Sequence, residues 1–398
     1  MALLSVAEAL ERVLAHAAPL PSEHAVLSEA YGRVLTDDLR ALRTQPPANV
    51  SAMDGYAVRA ADVTHASVRL KIIGEVAAGR PFAQAVGPDQ AARIFTGGVL
   101  PAGADTVVIQ EFTKRNGDWV DIQGPSARGR HIRAEGLDFK AGDLLLSAGH
   151  RLTTRDLALA AAMNHPRIPV HRRPKVAIFA TGDELVPPGT QPQPGQIVSS
   201  NTFALTALAR AEGADVADLG IVADRLDDTV SAVRGARERR ADILVTSGGA
   251  SVGEYDVVQR AFAAEGMELS FWKLALRPGR PLIHGRLGTM QVLGVPGNPV
   301  SAFVCSLLFM VPLIRRLAGR DDTATPTETA ALGCDLPEND ERADYLRATL
   351  KNGAATPFSA QDSSMMAPLA KADCLVIREP YSPAAKAGSP CTIMRLAL

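Results

Sequence analysis

Cysteine is scarce: four residues in 398, at Cys305, Cys334, Cys374 and Cys391, with no Cys-x-x-Cys spacing. That excludes a zinc ribbon and a disulfide framework and reads as reduced thiols of a cytosolic protein. Excess charge is lacking too, since 42 Lys and Arg oppose 43 Asp and Glu for a net charge of −1. Such a balance offers no broad basic face, so no nucleic-acid partner is expected. No window reaches the roughly 20 apolar residues of a membrane span, so no membrane partner is expected either. Glu8 and Glu11 interrupt the N-terminal apolar pattern, which excludes a signal peptide and leaves a cytoplasmic location as the expectation. No internal repeat or low-complexity tract stands out. What is present is globular in balance, 46% hydrophobic and 21% charged, in a chain long enough for about two to four domains.

The most informative stretch runs from Ala241 to Asp256. A short apolar strand, Ile243 to Val245, leads into Thr246-Ser247-Gly248-Gly249, and acids follow at Glu254 and Asp256 as a helical pattern begins. Glycines at 248, 249 and 253 permit positive φ and let a ligand approach the main chain. A strand, glycine turn and helix in succession aim backbone N–H groups at one point, which suits phosphate. Acids in that place would repel phosphate unless a divalent cation such as Mg²⁺ lay between them.

Around this stretch the pattern divides the chain. Ser5 to Glu8 forms a capping-box signature, and the spacing predicts a helix over 5–17 and a second over 27–35. Asp54-Gly55 is a turn signal. Short β-type runs at 69–73, 91–95, 106–110 and 119–122 predict a small β-rich domain inserted at about 48–140 within an N-terminal region 1–174. From Lys175 strands alternate with helices up to about residue 318, predicting a three-layer α/β domain with a mostly parallel sheet. Acids follow three of its strands, at Asp183-Glu184, at Asp224 and at Glu254 with Asp256. Ligands of such sheets sit beyond the carboxyl ends of the strands. Lys273, Arg277 and Arg280 lie in a basic strand-and-loop suited to an oxyanion. Val300 to Ala318 is an apolar helix, and 319–398 reads as a C-terminal β-domain.

Five motifs together carry a resemblance: Ser-Ala-Met-Asp-Gly-Tyr-Ala from Ser51, Thr-Gly-Asp-Glu-Leu from Thr181, and Ser-Gly-Gly-Ala-Ser-Val-Gly-Glu-Tyr-Asp from Ser247. Arg-Pro-Gly-Arg-Pro from Arg277 and Pro-Gly-Asn-Pro-Val-Ser from Pro296 complete the set. The chain resembles the MoeA family of molybdopterin molybdenumtransferases, relatives of the gephyrin E domain, along nearly its whole length. The resemblance implies an elongated homodimer, a MogA-like α/β domain, and transient contact with the upstream molybdopterin adenylyltransferase. It implies insertion of molybdate into adenylylated molybdopterin with Mg²⁺ present, releasing AMP. It assigns catalysis to Asp54, Glu184, Asp224, Glu254 and Asp256, with Glu184, Asp224 and Asp256 on the metal. Thr96, Asp138, Ser247, Gly248, Gly249, Lys273, Arg280, Pro296 and Pro299 fall to substrate binding. Arg277, Ser301, Arg347 and Ser363 fall to molybdate. Arg277 stands where many members carry Lys. Two alternatives are an adenylyltransferase and a non-catalytic scaffold of gephyrin-E type.

Overall fold

A computed structural model describes residues 3–65, 67–249 and 257–396. Contacts divide it into two compact units, one of residues 1–23, 32–34 and 170–398, the other of 24–31 and 35–169.

The larger unit contains α1 (Val6–Leu14), held at its start by the expected Ser5/Glu8 capping box. Next come β1 (Lys175–Thr181), α2 (Asn201–Ala211), β2 (Asp215–Val222), α3 (Leu226–Glu238), β3 (Ile243–Ser247) and α4 (Val257–Ala264). The series ends with β4 (Glu268–Lys273), β5 (Pro281–Leu287), β6 (Met290–Val295) and the helix α5, Pro299–Leu317. The sheet order is β2-β1-β3-β6-β5-β4, and β5 runs against both its neighbours. Alternation along β1 assigns the two faces: Val176 and Ile178 pack with α1, α2 and α5, while Ala177 and Phe179 pack with α3 and α4. The predicted three-layer architecture is therefore present, and α1 packs into its core.

α5 corrects one expectation. It is a continuous 19-residue helix of mean hydropathy 1.8, long and apolar enough by composition to cross a membrane, yet 89% of its window is buried inside the protein. A helix apolar on every side is one surrounded by protein or lipid; here it is protein, because α1, α2, the sheet and the C-terminal strands all share its cluster. Pro312 has no N–H for the carbonyl four residues back, and the helix widens to a π-turn over Ser306–Met310 at that point.

The C-terminal strands Thr327–Leu332, Ala343–Lys351, Ala354–Pro357, Cys374–Arg378 and Pro390–Arg395 form one sheet, closed by pairing of 343–351 with 374–378. Leu276 and Arg277 add to it beside Ala343 and Asp344, so the α/β domain and this barrel share backbone hydrogen bonds.

In the smaller unit a six-stranded mixed sheet takes the order 106–109, 55–58, 90–94, 68–76, 119–122, 113–116. The four predicted runs are there; Gly55–Val58 and Thr113–Asn116 are additional. The helix expected over 27–35 is only a 3₁₀ turn at Leu27–Glu29, broken where Gly32 takes φ +74°.

Behind the sheet, Glu212 is 6% exposed at its side chain and bridges Arg315 at 2.5 Å and Arg320 at 2.6 Å. Burial alone would raise its pKa, but the two guanidinium groups outweigh that and lower it. Glu212→Ala leaves buried Arg315 without its carboxylate and Arg320 with Asp322 alone, so denaturant titration should show a loss of about 3–5 kcal/mol. A lowered native pKa means the contribution is complete above the ordinary Glu value and is lost as pH falls through the native one. Wild-type stability should therefore drop with acid more steeply than that of Glu212→Ala.

Candidate active site

β1, β3 and β6 end side by side, and a cleft of about 690 Å³ opens beyond their carboxyl ends. Ser247-Gly248-Gly249 forms one wall and Pro296 to Pro299 another. Gly248 has φ +99° and Gly249 +60°. A Cβ on Gly248 would lie 2.3 Å from the Thr181 carbonyl oxygen, so the turn closes against β1 only because the side chain is absent.

Two helices begin at the cleft, α2 at Asn201 and α5 at Pro299. Neither Ser200 nor Asn298, the residues before them, caps its helix with a side chain. The first N–H groups of α2 and the positive ends of both helices remain for a ligand, the arrangement that takes phosphate; at α5, Pro299 has no N–H and the Val300 N–H is taken by the Ser363 carbonyl. Asp224 and Glu184 supply the acids. Thr181 donates its hydroxyl to Asp224, and the Asp224 N–H donates to Asp183 at 3.0 Å, which fixes the loop after β2.

Of the residues the sequence nominated, Glu184, Asp224, Ser247, Gly248, Gly249, Pro296, Pro299 and Ser301 therefore line one cleft. Glu254 and Asp256 lie outside the described residues. Among those described, no three His, Cys, Asp or Glu side chains form a metal cage. Two carboxylates still fit Mg²⁺, which takes one or two from protein and its remaining oxygens from phosphate and water.

The cationic assignments come out differently. Arg277 is committed to the barrel: it donates to both Asp344 oxygens at 2.6 Å and to Asp340 at 3.1 Å, and the Asp344 bonds raise its pKa despite partial burial. Arg347 is 1% exposed and is spent on Gln361 Oε1 at 3.2 Å and the Met365 carbonyl at 2.9 Å, holding the 360–365 loop; burial lowers its pKa. Ser363 is a latch, its hydroxyl accepting from Asn298 at 2.9 Å and its carbonyl from the Val300 N–H at 3.0 Å. Ser364 lines the cleft instead. Lys273 lies over the Trp272 ring at 4.9 Å, and Arg280 is exposed; neither lines the cleft.

Asp54, Thr96 and Asp138 belong to the smaller unit. Asp54 accepts from the Thr96 N–H at 2.7 Å and its hydroxyl at 2.8 Å, which hold the carboxyl below its ordinary range. Gly55 serves close packing rather than a turn, since a Cβ there would fall 2.0 Å from the Val108 carbonyl. No hydrogen bond or ion pair among the described residues joins Asp138 to Asp54.

Thr181, Asn201 and Asn298 escaped the sequence reading of the site. Asn201 carried only a helix-cap signal, and Thr181 and Asn298 lie within quoted motifs without being given a role.

A parallel sheet with helix starts and acids at its carboxyl edge defines an α/β protein built to bind a phosphorylated ligand, here with two further β-rich parts. Family models match throughout: "MoeA N-terminal region (domain I and II)" over 4–164, "Probable molybdopterin binding domain" over 177–316, and "MoeA C-terminal region (domain IV)" over 329–396. A molybdopterin molybdenumtransferase of Haemophilus influenzae is 34% identical over 94% of both chains. That of Nostoc sp. is 41% identical over 73% of this chain and 68% of its own. The crystal structure of a molybdopterin biosynthesis MoeA protein from Pyrococcus horikosii superposes with TM-score 0.85 at 29% identity, covering 99% of each chain. The chain belongs to the MoeA family.

Gly248→Ala should cost about 1–3 kcal/mol in denaturant titration, from positive φ and the collision with Thr181 together. Thr181→Val keeps the shape and removes the bond to Asp224; turnover should fall about tenfold with the melting temperature nearly unchanged.

Proposed function

We propose that the chain is a molybdopterin molybdenumtransferase that takes adenylylated molybdopterin and molybdate and yields molybdenum cofactor and AMP. The observation that carries this reading is the cleft beyond β1, β3 and β6, lined by the uncapped start of α2, the positive end of α5, a glycine turn, Asp224 and Glu184. The helix starts and the glycine turn seat the phosphates, the Gly248 N–H itself being taken by the Val295 carbonyl. Ser301, on the first turn of α5, adds a hydroxyl to the same wall. Asp224, oriented by Thr181, and Glu184 would hold Mg²⁺, which when bound supplies Lewis-acid charge to the phosphoanhydride. The amides are in place before reaction and need no rearrangement as charge builds on the leaving phosphate. Molybdate enters as substrate. With Arg277 and Arg347 both committed to protein acceptors, its recognition falls to the helix starts and hydroxyl groups of the cleft.

The same reading takes the enzyme as cytoplasmic and homodimeric, with transient contact to the upstream adenylyltransferase. Light scattering at about twice the 42.0 kDa chain mass checks the dimer.

The decisive assay follows AMP and cofactor from adenylylated molybdopterin with Mg²⁺, with and without molybdate. Wild type should release AMP and form active cofactor only when molybdate is present, and Asp224→Asn should lose at least about 100-fold. AMP release of equal rate without molybdate, with no metal entering the pterin, would sink the reading. ATP-dependent loading of free molybdopterin would point to an adenylyltransferase instead.

A further inference from the structure

Asn201, the first residue of α2, has no part in the chemistry above. Its Nδ2 donates at 2.7 Å to Ser247 Oγ, at the end of β3, and at 2.7 Å to the Gly297 carbonyl, between β6 and α5. Three segments far apart in sequence thus meet on one side-chain amide, and all three line the cleft. Both amide hydrogens are used.

β3 and β6 are paired as far as Ser247 and Val295; beyond that pair the Asn201 amide joins the two walls. Gly248, Gly249 and Gly297 have no side chains to interlock, and a Cβ on Gly297 would stand 3.6 Å from Gly248 Cα, so backbone meets backbone. Among the described residues the direct bond between the Gly248 turn and β6 is a single one, Gly248 N–H to the Val295 carbonyl at 3.2 Å. We propose that Asn201 is a positioning residue for the reaction, setting the separation of the glycine turn and the Pro-Gly-Asn-Pro loop and hence the width of the phosphate seat. This rests on the reading of the cleft as the reaction site. Among residues of this size, Asn presents two donors from one atom; Asp of identical shape presents none, and Ser presents one.

The test uses the full chain with adenylylated molybdopterin, molybdate and Mg²⁺, comparing wild type with Asn201→Ala, Asn201→Ser, Asn201→Asp, Ser247→Ala and the double variant Asn201→Ala/Ser247→Ala. Asn201→Ala should lower kcat by about 10- to 100-fold, the scale of a misplaced reactant, with KM changed only a few-fold and the melting temperature kept within a few degrees. Asn201→Ser should recover part of the loss, and Asn201→Asp should recover none. The double variant should be no worse than Asn201→Ala, because both changes cut one connection. A kcat for Asn201→Ala within twofold of wild type overturns the proposal, as does a double variant showing the product of the two single losses. Should Asn201→Ala not fold, equal activity of Asn201→Ser and Asn201→Asp overturns it. A wild-type chain without molybdate-dependent turnover overturns the underlying reading, and the proposal with it.

Discussion

A glycine pressed against a neighbouring strand governs the rest of this structure. β3 ends where Gly248 turns within van der Waals reach of the Thr181 carbonyl, at a backbone angle that side-chain-bearing residues seldom adopt. Because the turn lies that close, the ends of β1, β3 and β6 open into one cleft rather than three separate loops. The helix starts, the acids and the Asn201 amide all take their places from it.

The cationic residues show how a fold can redirect a plausible assignment. Arg277 sits in a basic loop, yet its fork geometry matches two aspartates of the barrel, and a bidentate pair in a half-buried place outcompetes a solvent-facing role. Arg347 is buried among carbonyls and an amide, with Asp362 near enough to act on its charge, and orders the loop bearing Ser364. Arg277 ties the C-terminal barrel to the α/β domain, while Arg347 holds a loop of the barrel itself. The barrel thereby becomes a structural part of the cleft, contributing Ser364 and Met366 to its wall.

Periodicity made the first half of the α/β domain legible, since buried parallel strands are continuous apolar runs; the antiparallel pair 281–287 and 290–295 was not read, because its Gly and Pro residues look like turns. The acids after β1 and β2 were legible for the same reason: residues following strand ends lie at the carboxyl edge. The region 27–35 misled because its apolar spacing imitates a helix, while Gly32 at positive φ allows only one turn. α1 gave its start, though it ends at Leu14 rather than 17, but not its partners, because an amphipathic stripe says that something is covered and not by what. Choosing Ser363 or Ser364 was beyond sequence: adjacent residues differ only in direction, and the latch to Asn298 turns one inward to the helix start.

The apolar helix α5 bears on how the chain is made. Synthesis runs from the N-terminus, and domains fold as they emerge. When Pro299–Leu317 leaves the ribosome, α1, α2 and every strand of the central sheet already exist to receive it. A segment greasy enough to be mistaken for an anchor is thus born next to its own binding groove. Moved to the front of the chain, the same nineteen residues would meet water, or a translocation channel, before they met their partners.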